Sequence, residues 1–248
     1  LKELADYAIE RHYPEVKKQE KPYLSFLIEV INQQAKLLAL WMSKGFIHGV
    51  MNTDNMTISG ETIDYGPCAF MDYYDPETVF SSIDTRGRYA YGNQPTIAQW
   101  NLTRLAEALL PLLTKEGSEI KDIEEELILF KKKYKKYYLE AFRKKLGLLK
   151  EAEEDGKLIK DLLTWMLENK RDFTNSFVDL TEENYADLVY QEEDFLNWKN
   201  KWKIRHRLEE QSKEDMQRLM KAHNPYLIPR NHKVEEVLKE ASKGNLEP

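Results

Sequence analysis

Three oxygen-bearing side chains, Asp54, Asn55 and Asp64, have the types and spacing that could do chemistry in this chain. Asn55 closes the run His48-Gly49-Val50-Met51-Asn52-Thr53-Asp54-Asn55, and Asp64 opens Asp64-Tyr65-Gly66 nine residues later. An Asn and an Asp on either side of a short apolar turn are what a kinase-type site uses to hold a divalent cation against the phosphates of a nucleotide. Hard cations take oxygen ligands, and Mg²⁺ needs few from the protein because phosphates and water supply the others. Two acceptors suffice if the chain between them folds back. Met56-Thr57-Ile58 and Glu61-Thr62-Ile63, joined by Ser59-Gly60, read as two short alternating runs. Such runs make a β-hairpin that returns Asn55 and Asp64 to the same end.

Kinase catalytic loops run His-Arg-Asp with an Asn at a fixed distance, and the Asp takes the proton of the attacking hydroxyl. On that frame His48 and Asn55 fall in place, but the proton acceptor's position is Val50. A valine accepts no proton. The one carboxylate nearby is Asp54, so a general base has to act from a shifted position. His48 reads as a brace for the loop, not as a chemical group.

At these residues the chain strongly resembles the selenoprotein O (SelO) family. The matching blocks are HGVMNTDN at 48–55, IDYGPCAFMD at 63–72, DTRGRYAYGNQPTIAQWNLTRLAEAL at 84–109, RKKLGL at 143–148, DFTNSF at 172–177 and NPYLIPRN at 224–231. The resemblance implies a protein-kinase-like fold and an adenylyltransferase that moves AMP from ATP to Ser, Thr or Tyr hydroxyls of proteins. It also implies ATP bound in a flipped orientation. Carried over by motif, Asp54 is the proton acceptor and Asn55 and Asp64 bind Mg²⁺ (with Mn²⁺ the alternative), Asp64 lying close to the nucleotide as well. Some members carry a selenocysteine or cysteine near the C-terminus; this sequence ends at Pro248 with neither.

Helices have to position these residues. Leu24, Leu27, Ile28, Ile31, Ala35, Leu38, Trp41 and Met42 keep the spacing of one helix face over 23–42, with Lys44-Gly45 as its stop. This helix delivers the chain to His48. A short amphipathic helix precedes it, stopped by Pro14. Residues 67–94, rich in Gly, Asp, Tyr and Pro, read as a long ordered loop. Arg86 and Arg88 within it are expected to contact phosphate, a substrate protein or the catalytic loop, or else to pair with Asp72, Asp75 or Asp84. Pro95 opens a helix to about Leu113 that is apolar on most sides, a central pillar with Trp100 in the core. From Ser118, the series Ile120, Ile123, Leu127, Phe130, Tyr134, Tyr137 and Ala141 forms a seam for another helix within the domain. Further helices are expected over 157–169, 182–190, 193–222 and 232–243, with Trp198 and Trp202 as packing anchors.

Composition narrows the function classes. With 37 basic against 43 acidic residues and a net charge of −6, nothing suggests a nucleic-acid-binding protein. A single cysteine, Cys68, permits no internal disulfide and reads as a small unreactive filler. Without a long apolar run or an N-terminal signal, no membrane span is expected and a cytoplasmic protein is the default.

The fold expected is mainly α, the C-terminal lobe of a kinase-like fold with one small β-hairpin at the metal site. Residues 1–115 form the lobe's core and 116–248 a helical extension packed on it. Only 47 residues precede His48. They cannot make the N-terminal nucleotide-binding lobe, so the sequence reads as the C-terminal part of a longer protein that binds ATP weakly by itself. Two rivals stand beside adenylyl transfer: a kinase-like phosphotransferase, disfavoured by Val50, and a non-catalytic pseudokinase scaffold using the 120–141 seam as its interface.

Overall fold

Apolar spacing decides the longest elements. In the computed structural model, which describes residues 1–247, α1 (Lys2–His12) stops before Pro14 and α2 (Pro22–Lys44) buries Leu27, Val30, Ile31, Ala35 and Leu38 along one face. Gly45 ends α2 in the left-handed region (φ 70°), and a Cβ there would lie 2.8 Å from the ring of Phe173. Both the dihedral and the space therefore require glycine.

Strand β1 (Phe46–Ile47) follows at once and pairs antiparallel with β2 (Ala69–Phe70), Phe46 opposite Phe70 and Ile47 opposite Ala69. The sheet thus flanks the candidate loop. The hairpin expected inside it is reduced to a single antiparallel bridge, Met56 to Thr62. Thr57 explains the difference. Its hydroxyl donates to the carbonyl of Glu61 at 2.7 Å and accepts from the amide of Glu61 at 2.9 Å, taking backbone groups that a strand ladder would have used.

Helix α3 (Gln94–Lys115) buries Ala98, Leu102, Ala106, Leu109 and Leu113. Trp100 corrects the expectation of a core residue: it is 44% exposed. Helix α4 (Ile120–Lys145) starts with a reciprocal cap between Glu119 and Asp122 and lies along α2. Ile123 and Phe130 of its seam are buried in the same cluster as Leu27, Ile31 and Leu38 of α2, so the seam is used inside the chain.

The second half contains α5 (Asp155–Glu168), α6 (Phe173–Glu182), α7 (Glu193–His206), α8 (Lys213–His223) and α9 (Asn231–Ala241). Two expectations are corrected. The helix over 182–190 is absent; α6 ends at Glu182, with Glu183 at φ 55°, and only a 3-10 turn occupies Leu188–Gln191. Helix 193–222 is two helices, because Ser212 caps α8 by accepting from the amide of Asp215 and Glu210 takes a positive φ of 55°.

Buried apolar residues form two clusters. One holds α1, most of α2, α3 and the first half of α4; the other joins the end of α4 to α5, α6, α7 and α8. Trp198 and Trp202 stack at 5.6 Å in the second, as anchors. The motif blocks of the second half hold elements together. Within RKKLGL, the Leu146 carbonyl accepts from Trp202 and His206 and the Lys145 carbonyl accepts from Asn224. Arg230, in NPYLIPRN, bonds both Asp72 and Asp172, and Asp172 caps α6 through the amide of Asn175. Among the described residues, no helix is long and apolar enough to cross a membrane.

Candidate active site

The loop from His48 to Asp64 hangs between α2, α3 and the sheet, and each of these pins it at named atoms. Gln94, fully buried at the start of α3, accepts from the amide of His48 and donates to the carbonyl of Phe46, both at 3.0 Å. About two turns further along the same helix, Asn101 donates to the carbonyl of Met51 at 3.0 Å. From α2, Gln34 donates to the carbonyl of Thr57, and Trp41 donates its indole N–H to Thr62 at 2.9 Å. Gly49 has φ 86°, and a Cβ there would lie 2.9 Å from Pro67, so the first turn of the loop packs directly on the segment after Asp64.

His48 is wholly buried between Trp41 and Phe46, and its Nε2 donates to the carbonyl of Ile63 at 2.8 Å. That bond braces the residue before Asp64. Together with the Met56–Thr62 bridge it brings both ends of the 55–64 segment to one place. The orientation of Asn55 is fixed too: its Nδ2 donates to the carbonyl of Val50 at 3.0 Å, which leaves Oδ1 as the free acceptor. Asp64 is exposed, sits at φ 55° and has no side-chain hydrogen-bond partner among the described residues. A left-handed aspartate costs backbone energy on the order of 1 kcal/mol, a strain that clusters at functional positions. Asp54 lies in the 3-10 turn Thr53–Asn55 with its carboxylate exposed.

Two free oxygen acceptors, one neutral and one anionic, fit a cation that draws its other ligands from phosphate and water. Among the described residues no group of three or more His, Cys, Asp or Glu could hold a metal ion. Asn55 and Asp64 are the side chains of this loop whose oxygens stand open to such a cation.

The long loop after Asp64 touches the site through Tyr89, whose hydroxyl donates to Asn52 at 2.6 Å. The carboxylates expected to pair with Arg86 and Arg88 are engaged elsewhere. Asp72 bonds Arg230, Asp75 accepts from the amide of Glu77, and Asp84 accepts from the amides of Arg88 and Tyr89. Arg88 instead lies over the ring of Trp100. Cys68 is half-buried and its thiol is pushed up by desolvation, in keeping with an unreactive filler.

Sequence reasoning missed Gln34, Gln94, Asn101 and the Tyr89–Asn52 contact. Gln34 and Asn101 did leave a signal: each is a polar residue on the apolar stripe of its helix, where a buried amide must find backbone partners.

The chain falls in a family of protein nucleotide transferases. The family model for protein adenylyltransferase SelO matches residues 1–248, and the chain belongs to that family. It is 56% identical over 247 residues to the protein nucleotidyltransferase YdiU of Clostridium perfringens, covering 99% of this chain and 50% of that protein. It is 57% identical over 244 residues to the protein nucleotidyltransferase YdiU of Halalkalibacterium halodurans, covering 97% and 50%. The chain thus spans about half the length of the curated relatives it matches.

Proposed function

We propose that this chain forms the metal-binding and acceptor-activating part of an ATP-dependent protein adenylyltransferase with a kinase-like fold, transferring AMP to Ser, Thr or Tyr hydroxyls. The observation that carries the reading is the loop geometry. Among the described residues, Asn55 Oδ1 and the Asp64 carboxylate have no partner, at one end of a bridged turn and beside a loop whose usual proton-acceptor position is Val50.

In this reading Asn55 and Asp64 hold Mg²⁺, which when bound neutralises phosphate charge. Asp54 orients the acceptor hydroxyl and takes its proton. The hydroxyl oxygen bonds to the α-phosphorus, the bond from that phosphorus to the bridging oxygen of the β-phosphate breaks, and pyrophosphate leaves. His48, Gln94 and Asn101 keep the loop in register without touching substrate.

The test compares ATP labelled at the α-phosphate with ATP labelled at the γ-phosphate, using full-length protein, candidate acceptor proteins and an Asp64→Ala variant. Protein-bound α-label that the variant loses by at least about 100-fold is the expected result. Protein-bound γ-label would make the enzyme a phosphotransferase, and undiminished transfer by the variant would overturn the metal assignment.

A further inference from the structure

Trp100 stands where a core residue was expected, and its surroundings give a reason for its exposure. The guanidinium carbons of Arg88 and Arg104 each lie 5.1 Å from the centroid of its ring. Arg88 also lies 5.7 Å from the ring of Tyr89. Arg86 and Arg88 are exposed, and neither forms an ion pair among the described residues. Arg104 pairs with Glu107 at 2.6 Å, both side chains being about half exposed, a contact worth about 0–1 kcal/mol and easily exchanged for another carboxylate.

This cluster adjoins the candidate active site. Tyr89, next to Arg88, bonds Asn52, which precedes Asp54 by two residues. Arg104 also walls a concave pocket of about 320 Å³ whose other sides include Thr53, Met56, Leu102 and Leu105. A continuous surface therefore leads from the residue before Asp54, across an apolar hollow, to a tryptophan flanked by cations.

We propose that Arg86, Arg88, Trp100 and Arg104 form the docking surface for the acceptor protein and select a segment with acidic side chains near the modified hydroxyl. Charge complementarity carries the choice of occupant. In a chain of net charge −6, Arg88 and Arg104 flank Trp100, Arg86 lies two residues before Arg88, and among the described residues the three have one weak carboxylate partner, Glu107. Guanidinium forks match carboxylates with paired N–H donors, and Arg and Trp are the residue types that dominate protein recognition surfaces. Apolar side chains of the same segment enter the pocket beside Arg104. The inference rests on the acceptor being a protein, as proposed above.

The test uses full-length protein and two fluorescein-labelled peptides: one with a Tyr flanked by Glu and Asp, the other with Gln and Asn in their place. Binding is followed by fluorescence anisotropy and requires no turnover. Wild type is expected to bind the acidic peptide roughly tenfold more tightly, and an Arg88→Glu/Arg104→Glu variant with unchanged thermal midpoint to lose that preference. Trp100→Ala is expected to weaken both peptides. Equal binding of the two peptides by wild type, as would follow if another part of the protein covers the surface, overturns the proposal, and so does a preference that survives in the folded double variant. Assays of α-label transfer run in parallel separate the two ideas: loss of acidic preference without any transfer upholds docking against adenylylation, and transfer without acidic preference does the reverse.

Discussion

Gln94 shows how much of this site depends on single buried amides. Its side chain bonds the backbone on either side of Ile47, accepting from His48 and donating to Phe46 in a place closed to water. An alanine there would leave a buried N–H and a buried carbonyl unsatisfied, each costing about 1–3 kcal/mol. Gln94→Ala is therefore expected to lower stability by about 3 kcal/mol in urea unfolding. Loss below about 1 kcal/mol would mean that the two backbone groups find other partners. At this scale the candidate residues Asp54, Asn55 and Asp64 stood out in the sequence, because they carry oxygen chemistry at a recognisable spacing. The supporting residues were less so: Gln34 and Asn101 interrupt apolar stripes, but what they and Gln94 hold shows only in the tertiary contacts. Trp100 misled for the converse reason. A tryptophan on an apolar helix is usually core, and only the neighbouring arginines explain its exposure.

Among the elements, helices with strong apolar periodicity were legible to within a few residues: α2, α3, α4, α5 and α9 stand close to their expected positions. The misses occur where periodicity is weak and capping decides. α6 begins at an Asp172 cap inside a polar block, and the break between α7 and α8 depends on the Ser212 cap and on Glu210 in a left-handed conformation. The bridged turn at 56–62 became less regular than its alternation implied because Thr57 competes with the backbone for hydrogen bonds. The seam of α4 was read correctly as internal. Phe130 is 1% exposed and packs in the cluster that α2 lines, so Phe130→Ala is expected to cost about 3–5 kcal/mol in urea unfolding, without changing oligomeric state in sedimentation. A small stability effect combined with altered association would instead restore the seam as an interface and favour the scaffold reading.

For the molecule as a whole, the candidate site lies where the two apolar clusters meet. Trp41 belongs to the first and Met42 to the second; Phe46 belongs to the first and Ile47 to the second, immediately before His48. Tyr134 of α4 packs against both. A loop anchored at such a junction is expected to keep its geometry only while both clusters are formed, with the helical second half supporting it without contributing a proposed chemical group. Phe195, wholly buried among Trp165, Tyr190 and Trp198, tests this coupling from a position in the second cluster. Phe195→Ala should cost about 3–5 kcal/mol at its own site. If the two clusters open as one unit, the amides of the buried α2 residues Ile31 and Leu38 in the first cluster should lose protection corresponding to the same free energy. If those amides keep wild-type exchange while α7 and α5 lose protection, the clusters open independently. The second half would then be an appendage to the site, and loop geometry would depend on α2 and α3 alone.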